Sequence, residues 1–145
     1  MAEVVMTHLV AGDAKLSSRI VVSSAGTANW HVGDEMDPRA RGALDRAGFT
    51  RPGTLAEHAT SEYVRRHDLL ITMSREQRDD VRHALGDHRV PVIVIRSLLE
   101  PEHELDLEDP YYKRDVGFDD CLASLSQSCQ ELASRLRLGD ELFEV

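Results

Sequence analysis

Apolar residues recur at helical spacing near the end of the chain. Steps of four and three separate the members of this stripe, as on one face of a long amphipathic helix: Phe118, Leu122, Leu125, Cys129, Leu132 and Leu136. A shorter stripe predicts a first helix over residues 2–11, with its apolar positions at Val4, Val5, Leu9 and Val10.

Two helices in the middle of the chain are predicted from their start signals. Asp37 can cap a helix that has Pro38 at its first position. Ser74 is followed three residues later by Gln77, which is the capping-box spacing, and that helix is expected to end at about Leu85.

The Asp37 helix is predicted to end at Gly48, because a glycine commonly follows the last helical turn. Leu44 and Ala47 are expected to form its inner face. Pro52 and Gly53 then indicate a loop, and a short helix is expected at about residues 61–66.

Three short apolar runs predict buried strands at residues 19–24, 68–73 and 90–95. Pro91 near the start of the third run favours an edge position, because proline cannot donate to a sheet ladder. Strands that alternate with helices predict an α/β fold of three layers, with a parallel sheet flanked by helices.

Composition narrows the functional classes. The 145 residues predict a single domain over residues 1–145. Acidic residues outnumber basic ones 26 to 17, a net charge of −9, so we expect no nucleic-acid partner. No apolar run is long enough to span a membrane, and no signal-like segment opens the chain, so we expect no membrane contact and a cytoplasmic location. Seven scattered histidines form no metal-binding pair, and we expect neither metal nor cofactor.

The two cysteines predict core positions rather than a disulfide framework. Cys121 and Cys129 are eight residues apart, which places them on roughly one face of the last helix. A C-x5-R string runs from Cys129 to Arg135. We do not interpret it as a phosphate-binding loop, because it has no glycine and lies inside the predicted helix, where the N–H groups are already bonded.

Three motifs together are specific. The run S-A-G-T-A-N-W-H-V-G occupies residues 24–33, D-P-R-A occupies 37–40 and E-D-P-Y-Y occupies 108–112. In this order and at this spacing the chain resembles the low-molecular-weight protein tyrosine phosphatases. The resemblance implies hydrolysis of phosphotyrosine or aryl phosphate monoesters through a cysteinyl-phosphate, with a phosphotyrosine protein or aryl phosphate as the substrate partner and no cofactor.

The resemblance also implies roles for individual residues. Asp109 matches the general acid, although a carboxylate beside proline can also be a simple turn residue. Trp30 and Tyr111 match opposite walls of the substrate cleft, with a buried core position as the alternative for Trp30. Ser24 matches a serine that supports the phosphate loop, or alternatively satisfies backbone groups at a strand end. Tyr112, with Tyr111, matches substrate-binding and phosphorylation positions.

The family's phosphate loop and first strand have no counterpart in the 145 residues. The family sheet has the strand order 2-1-3-4, and its C-x5-R loop would precede Met1. We therefore expect a chain truncated at its N-terminus relative to the family, with no nucleophile and with unpaired strand edges at 19–24 and 68–73. Such edges favour self-association.

Two main hypotheses follow, and a third is weaker. The first is a tyrosine phosphatase whose 145 residues are inactive by themselves. The second is a non-catalytic binding or self-associating relative, which is favoured by departures from the family pattern at Gly53 or Thr54, Ser74 and Gln77. The weaker alternative is arsenate reduction, which also needs a loop cysteine.

Overall fold

A computed structural model describes residues 1–49, 53, 55–99, 105–112 and 115–139. In these residues, α-helices and two short β-strands follow one another along the chain, with 3₁₀ turns at Ile95–Leu98 and Pro110–Tyr112. The elements are α1 (Ala2–Ala11), α2 (Ala14–Ser17), α3 (Pro38–Arg46), α4 (Ser61–Arg65), β1 (Leu70–Thr72), α5 (Arg75–Leu85), β2 (Val92–Val94) and α6 (Asp115–Leu138).

The sheet is parallel, as the alternation of strands and helices predicts. Strand β1 pairs with β2, and Ile71 lies opposite Ile93 in the register. Helix α5 connects the two strands, which is the usual crossover between parallel neighbours. The predicted strands at 68–73 and 90–95 are thus confirmed, each over a shorter central part.

The main core forms where α6 packs against α1, α3 and the 3₁₀ turn at Ile95–Leu98. Leu44 of α3 is fully buried in this core, and Val5 of α1 is almost so. The α6 stripe is confirmed, because its buried members face these partners: Phe118, Leu122, Leu125, Cys129 and Leu132. A smaller apolar cluster joins Val64 of α4 and Leu85 of α5 to Val92 of β2.

The predicted helix boundaries in the middle of the chain are confirmed by their caps. The Asp37 carboxylate accepts the Arg39 N–H at 2.8 Å, with Pro38 in the first turn of α3. Gly48, with a φ of +78°, follows the end of this helix in the left-handed region that favours glycine. Its inner face differs from the prediction at one position, because Ala47 is exposed while Ala43 is buried.

The prediction of a buried strand at residues 19–24 is wrong. The segment forms no ladder with another strand among the described residues, and Val21 is 95% exposed. A β-branched run becomes a strand only where another strand satisfies its peptide groups. Residue Gly26, just beyond the segment, makes a single parallel bridge to His58. Helix α2, which the sequence did not predict, lies immediately before the segment and is capped by Asp13.

Strand β1 has one free edge among the described residues. The Leu70 N–H donates to the Pro91 carbonyl at 2.9 Å, so the peptide groups of Leu70 face β2. Successive peptide groups of a strand alternate between its two edges. The N–H and C=O of Ile71 therefore face away from β2, toward the side where no further strand is paired.

None of the helices in the described residues combines the length and the apolar character needed to cross a membrane.

We expect Ser74→Ala to lower the free energy of unfolding by about 1 kcal/mol, the usual cost of removing an N-cap. The Ser74 hydroxyl accepts the Gln77 N–H at 3.2 Å, and the Gln77 side chain in turn accepts the Met73 N–H at 3.0 Å. Urea unfolding measures the change. Ser74→Asp keeps an acceptor and should unfold like the parent, so an equal loss in both variants would contradict the role of this cap.

Candidate active site

Asp109 lies on an exposed loop and is held in a defined turn. Its carboxylate Oδ1 accepts the Tyr111 N–H at 2.9 Å, across the buried Pro110. This is an Asx turn, in which a carboxylate organises the backbone that follows it. The second carboxylate oxygen is not used in this hydrogen bond, so the group can also act on a molecule in solvent.

The Asp109 loop is fixed to the carboxyl end of β1. The Leu107 N–H donates to the Met73 carbonyl at 2.8 Å, directly after the strand. One residue earlier, the Asp106 carboxylate accepts the Arg75 backbone N–H at 2.7 Å and also accepts hydrogen bonds from Nε and Nη2 of the Arg75 side chain. The hydrogen-bonded Arg75 side chain holds the pKa of Asp106 below its ordinary value. Ligand sites of parallel sheets lie at this end of the strands.

Arg39 fixes the other end of the loop. Its Nη1 donates to the Tyr111 carbonyl at 3.0 Å, and its guanidinium lies over the rings of Phe118 and Tyr111, at 4.6 and 5.3 Å from their centroids. Asp37 accepts from Nη2 at 2.8 Å and from Nε at 3.1 Å. The Arg39 hydrogen bonds lower the pKa of Asp37. One arginine therefore joins the start of α3 to the Asp109 loop and the start of α6.

Trp30 lies on a loop that backbone hydrogen bonds close at both ends. Gly26 N–H donates to the Glu57 carbonyl, and Gly33 N–H donates to the Ala56 carbonyl, at 2.9 and 2.8 Å. Gly33 takes a φ of +85°, which permits this return. The Trp30 side chain is 78% exposed, so the alternative of a buried core position is wrong. An exposed indole on a braced loop is suited to stacking on a ligand.

Of the two tyrosines predicted to contact the substrate, the structure describes the side chain of only one. The Tyr111 side chain is 49% exposed and stands beside Arg39. The side chain of Tyr112, like all of Thr54, lies outside the described residues. Whether Trp30 and Tyr111 form opposite walls of one cleft stays a prediction.

Ser24 lies beside the first turn of α1. Its hydroxyl donates to the Glu3 carboxylate at 2.5 Å, which ties the segment at 20–25 to that helix. The acceptor is a side-chain carboxylate rather than a backbone group. This hydrogen bond therefore does not support the alternative in which Ser24 satisfies backbone groups at a strand end. Its support of a phosphate loop stays a prediction.

Both cysteines are unsuited to nucleophilic attack. Cys121 and Cys129 are buried on α6, which confirms the core positions predicted for them. Cys129 is fully buried, and burial raises the pKa of its thiol to about 12. A nucleophilic cysteine needs the opposite, a lowered pKa and access to substrate. The C-x5-R string to Arg135 is helical, as predicted, and Arg135 donates to Glu131 at 2.6 Å.

Sequence reasoning missed the residues that fix the Asp109 loop. Arg39, Arg75 and Asp106 were not singled out, although Arg39 belongs to the D-P-R-A motif. Arg39 and Tyr111 are 72 positions apart. The motif signalled Arg39, but no spacing along the chain indicated its partner.

We expect Arg39→Met to loosen the Asp109 turn. The amide of Tyr111, bonded to Asp109, should exchange with solvent about tenfold faster, the effect of losing one charged hydrogen bond. Amide exchange by NMR measures this rate. Arg46→Met is the matched control, because Arg46 also lies on α3 but pairs with Asp119 at 2.8 Å and does not touch the loop. Equal acceleration in both variants would contradict the role of Arg39.

Comparisons with known proteins agree with this architecture. Residues 1–141 match the sequence profile of the family described as low molecular weight phosphotyrosine protein phosphatase. The low molecular weight protein-tyrosine phosphatase A of Mycobacterium tuberculosis is 34% identical over 126 residues, which are 85% of this chain and 72% of that protein. The corresponding phosphatase of Sus scrofa is 26% identical over 140 residues, covering 94% of this chain and 87% of the relative.

Solved structures show the same fold. YfkJ from Bacillus subtilis superposes with a TM-score of 0.80 at 22% identity, covering 97% of this chain and 87% of its own. A protein tyrosine phosphatase from Entamoeba histolytica gives a TM-score of 0.81 at 21% identity, covering 95% and 88%. The chain thus belongs to the low-molecular-weight phosphotyrosine protein phosphatase family.

Proposed function

We propose that this chain carries the general acid and the substrate-facing aromatic residues of a phosphatase site for phosphotyrosine and other aryl phosphate monoesters. The observation that carries the proposal is the exposed carboxylate of Asp109, fixed at the carboxyl end of β1. Family membership supplies the reaction class. Trp30 and Tyr111 would flank the aryl ring, and Ser24 would support the phosphate loop.

Asp109 acts on the leaving group in this proposal. A cysteine thiolate attacks phosphorus, the bond between phosphorus and the aryl oxygen breaks, and Asp109 gives its proton to the departing phenolate oxygen. The products are a cysteinyl-phosphate, a phenol and an ionised Asp109. A positioned acid of this kind contributes about 10²–10⁴-fold to the rate.

The thiolate does not come from Cys121 or Cys129 in this proposal. Both are buried, and the raised pKa of Cys129 disfavours its thiolate further. We therefore infer that residues 1–145 by themselves do not hydrolyse aryl phosphates. In this proposal, turnover needs a cysteine thiolate other than these two and an arginine that binds the phosphate.

A non-catalytic role in binding phosphorylated or aromatic ligands is the second candidate. The buried cysteines and the exposed Trp30 favour it, because a braced aromatic surface can bind without a nucleophile. Arsenate reduction is a weaker alternative, since it needs a reactive loop cysteine and the D-P-Y-Y sequence suits an aryl leaving group better.

The catalytic proposal is tested by assaying residues 1–145 and a chimera in which the first strand and C-x5-R loop of a family relative precede Met1. We expect no hydrolysis of phenyl phosphate by residues 1–145 and hydrolysis by the chimera. In the chimera, Asp109→Asn should lower kcat about 10²-fold or more. This loss of kcat should be smaller for p-nitrophenyl phosphate, because departure of the nitrophenolate depends less on protonation.

Asp120→Asn is the matched control, because Asp120 is an exposed carboxylate on α6 that has no role in the proposed reaction. Hydrolysis by residues 1–145 that disappears in Asp109→Asn would refute the inferred inactivity. A folded chimera that binds phosphate but gives no turnover would refute the catalytic proposal and leave the binding role.

We also propose self-association through the open sheet edge. The outward peptide groups of Ile71 and the unpaired segment at 20–25, with its exposed Val21, offer a surface to which a second copy can add strands.

Sedimentation velocity over a wide concentration range tests the self-association. We expect dimers for the parent chain and monomers for Val21→Lys, because a charge on an edge blocks pairing. Val32→Lys is the matched control on the Trp30 loop, where Val32 is also exposed, and it should still dimerise. A parent chain that stays monomeric would refute the proposal.

A further inference from the structure

A pocket of about 340 Å³ lies beside β2, on the far side of the sheet from the free edge of β1. It is lined by three consecutive strand residues at 92–94, together with residues from α5, the 3₁₀ turn and the loop that leads to Asp109. Side chains of consecutive strand residues alternate between faces, so a pocket that touches all three follows the edge of the strand. Since β1 occupies one edge, the pocket lies along the other. Its volume falls in the range of small-molecule sites.

The floor of the pocket is apolar. Val92, Val94 and Leu105 line it and are each less than one-tenth exposed. The backbone adds polar groups beside this floor. Because Leu70 N–H donates to the Pro91 carbonyl, the peptide groups of Val92 and Val94 face away from β1, toward the pocket.

Two arginines are among the residues that line the pocket. Arg78 and Arg82 lie one helical turn apart on the same face of α5. The Arg78 Nε donates to the Asp79 carboxylate at 3.1 Å. The Asp79 side chain is largely exposed, so this ion pair is weak, and it does not use the two Nη groups of Arg78. Arg82 makes no ion pair with any of the described residues. Ser97 also lines the pocket.

The pocket has a local positive charge, although the whole chain is acidic. The chain has a net charge of −9, yet the described residues that line this pocket include two arginines and no acidic side chain. A local cationic site in an acidic protein attracts small anions selectively. Arginine forks bind the oxygens of carboxylates and phosphoryl groups in a bidentate manner.

We propose that this pocket binds a small organic anion, with an aryl or short alkyl body on the floor of Val92, Val94 and Leu105 and a carboxylate or phosphoryl head on Arg78 and Arg82. This site is distinct from the proposed phosphatase site. None of the described pocket residues belongs to the Asp109 turn, so anion binding here does not depend on phosphatase activity.

An NMR titration of ¹⁵N-labelled protein with phenylphosphonate, at fixed ionic strength, tests the proposal. We expect saturable shifts at the amides of Val92, Val94 and Ser97. Inorganic phosphate, which has the head alone, and benzyl alcohol, which has the body alone, should each bind several-fold more weakly. Benzoate distinguishes a carboxylate head from a phosphoryl head, and binding of either anion supports the proposed class.

Arg82→Gln should weaken phenylphosphonate binding about tenfold, as expected for loss of a charged hydrogen-bonding group. Arg89→Gln is the matched control, because it removes the same charge from an exposed position outside the pocket. Thermal unfolding checks that both variants are folded, and Arg78→Gln replaces Arg82→Gln if that variant is not. Shifts confined to the surroundings of Asp109 and Ser24, equal weakening by Arg89→Gln, or absence of saturation would each overturn the proposal.

Discussion

The packing of α6 against α1 and α3 is the constraint on which the rest of the structure depends. The two paired strands of the described residues cannot by themselves form a stable core, because so short a ladder buries little surface. The burial of Leu125, Cys129 and Leu132 between the helices therefore supplies the apolar contact that holds the layers together. The same packing explains why the thiols of α6 are structural, since a side chain that fills the core has no access to a substrate.

The candidate site is built on this helical frame through polar contacts at the carboxyl end of β1. Met73 and Arg75 hold one end of the Asp109 loop, and Arg39 holds the other by linking Asp37 to the Tyr111 carbonyl. The Asp109 loop is thus held from the connection between β1 and α5 and from α3. The outer edge of β2 carries a second feature, an apolar pocket that Arg78 and Arg82 also line. The two regions are joined by the short segment from Leu105 to Asp109.

Local signals in the sequence predicted those parts of the fold that depend on neighbours along the chain. The caps at Asp37 and Ser74 and the stripe of α6 are of this kind, because a helix satisfies its own peptide groups. The run at 19–24 has equally strong strand composition, yet its outcome depends on a partner strand, which composition does not reveal. In the candidate site, too, local motifs could be read from the sequence, whereas contacts between distant residues could not. The motifs singled out Asp109 and Trp30 as candidates, but the contact of Arg39 with Tyr111 arises only from tertiary packing.

The central claim is that, among the described residues, β1 is paired with another strand on one edge only. Amide hydrogen exchange of Leu70 and Ile71, measured by NMR on protein dilute enough to be monomeric, tests it most directly. We predict slow exchange at Leu70, whose N–H donates to Pro91, and much faster exchange at Ile71, whose N–H faces away from β2. Equal, strong protection of the two amides in the monomer would contradict it.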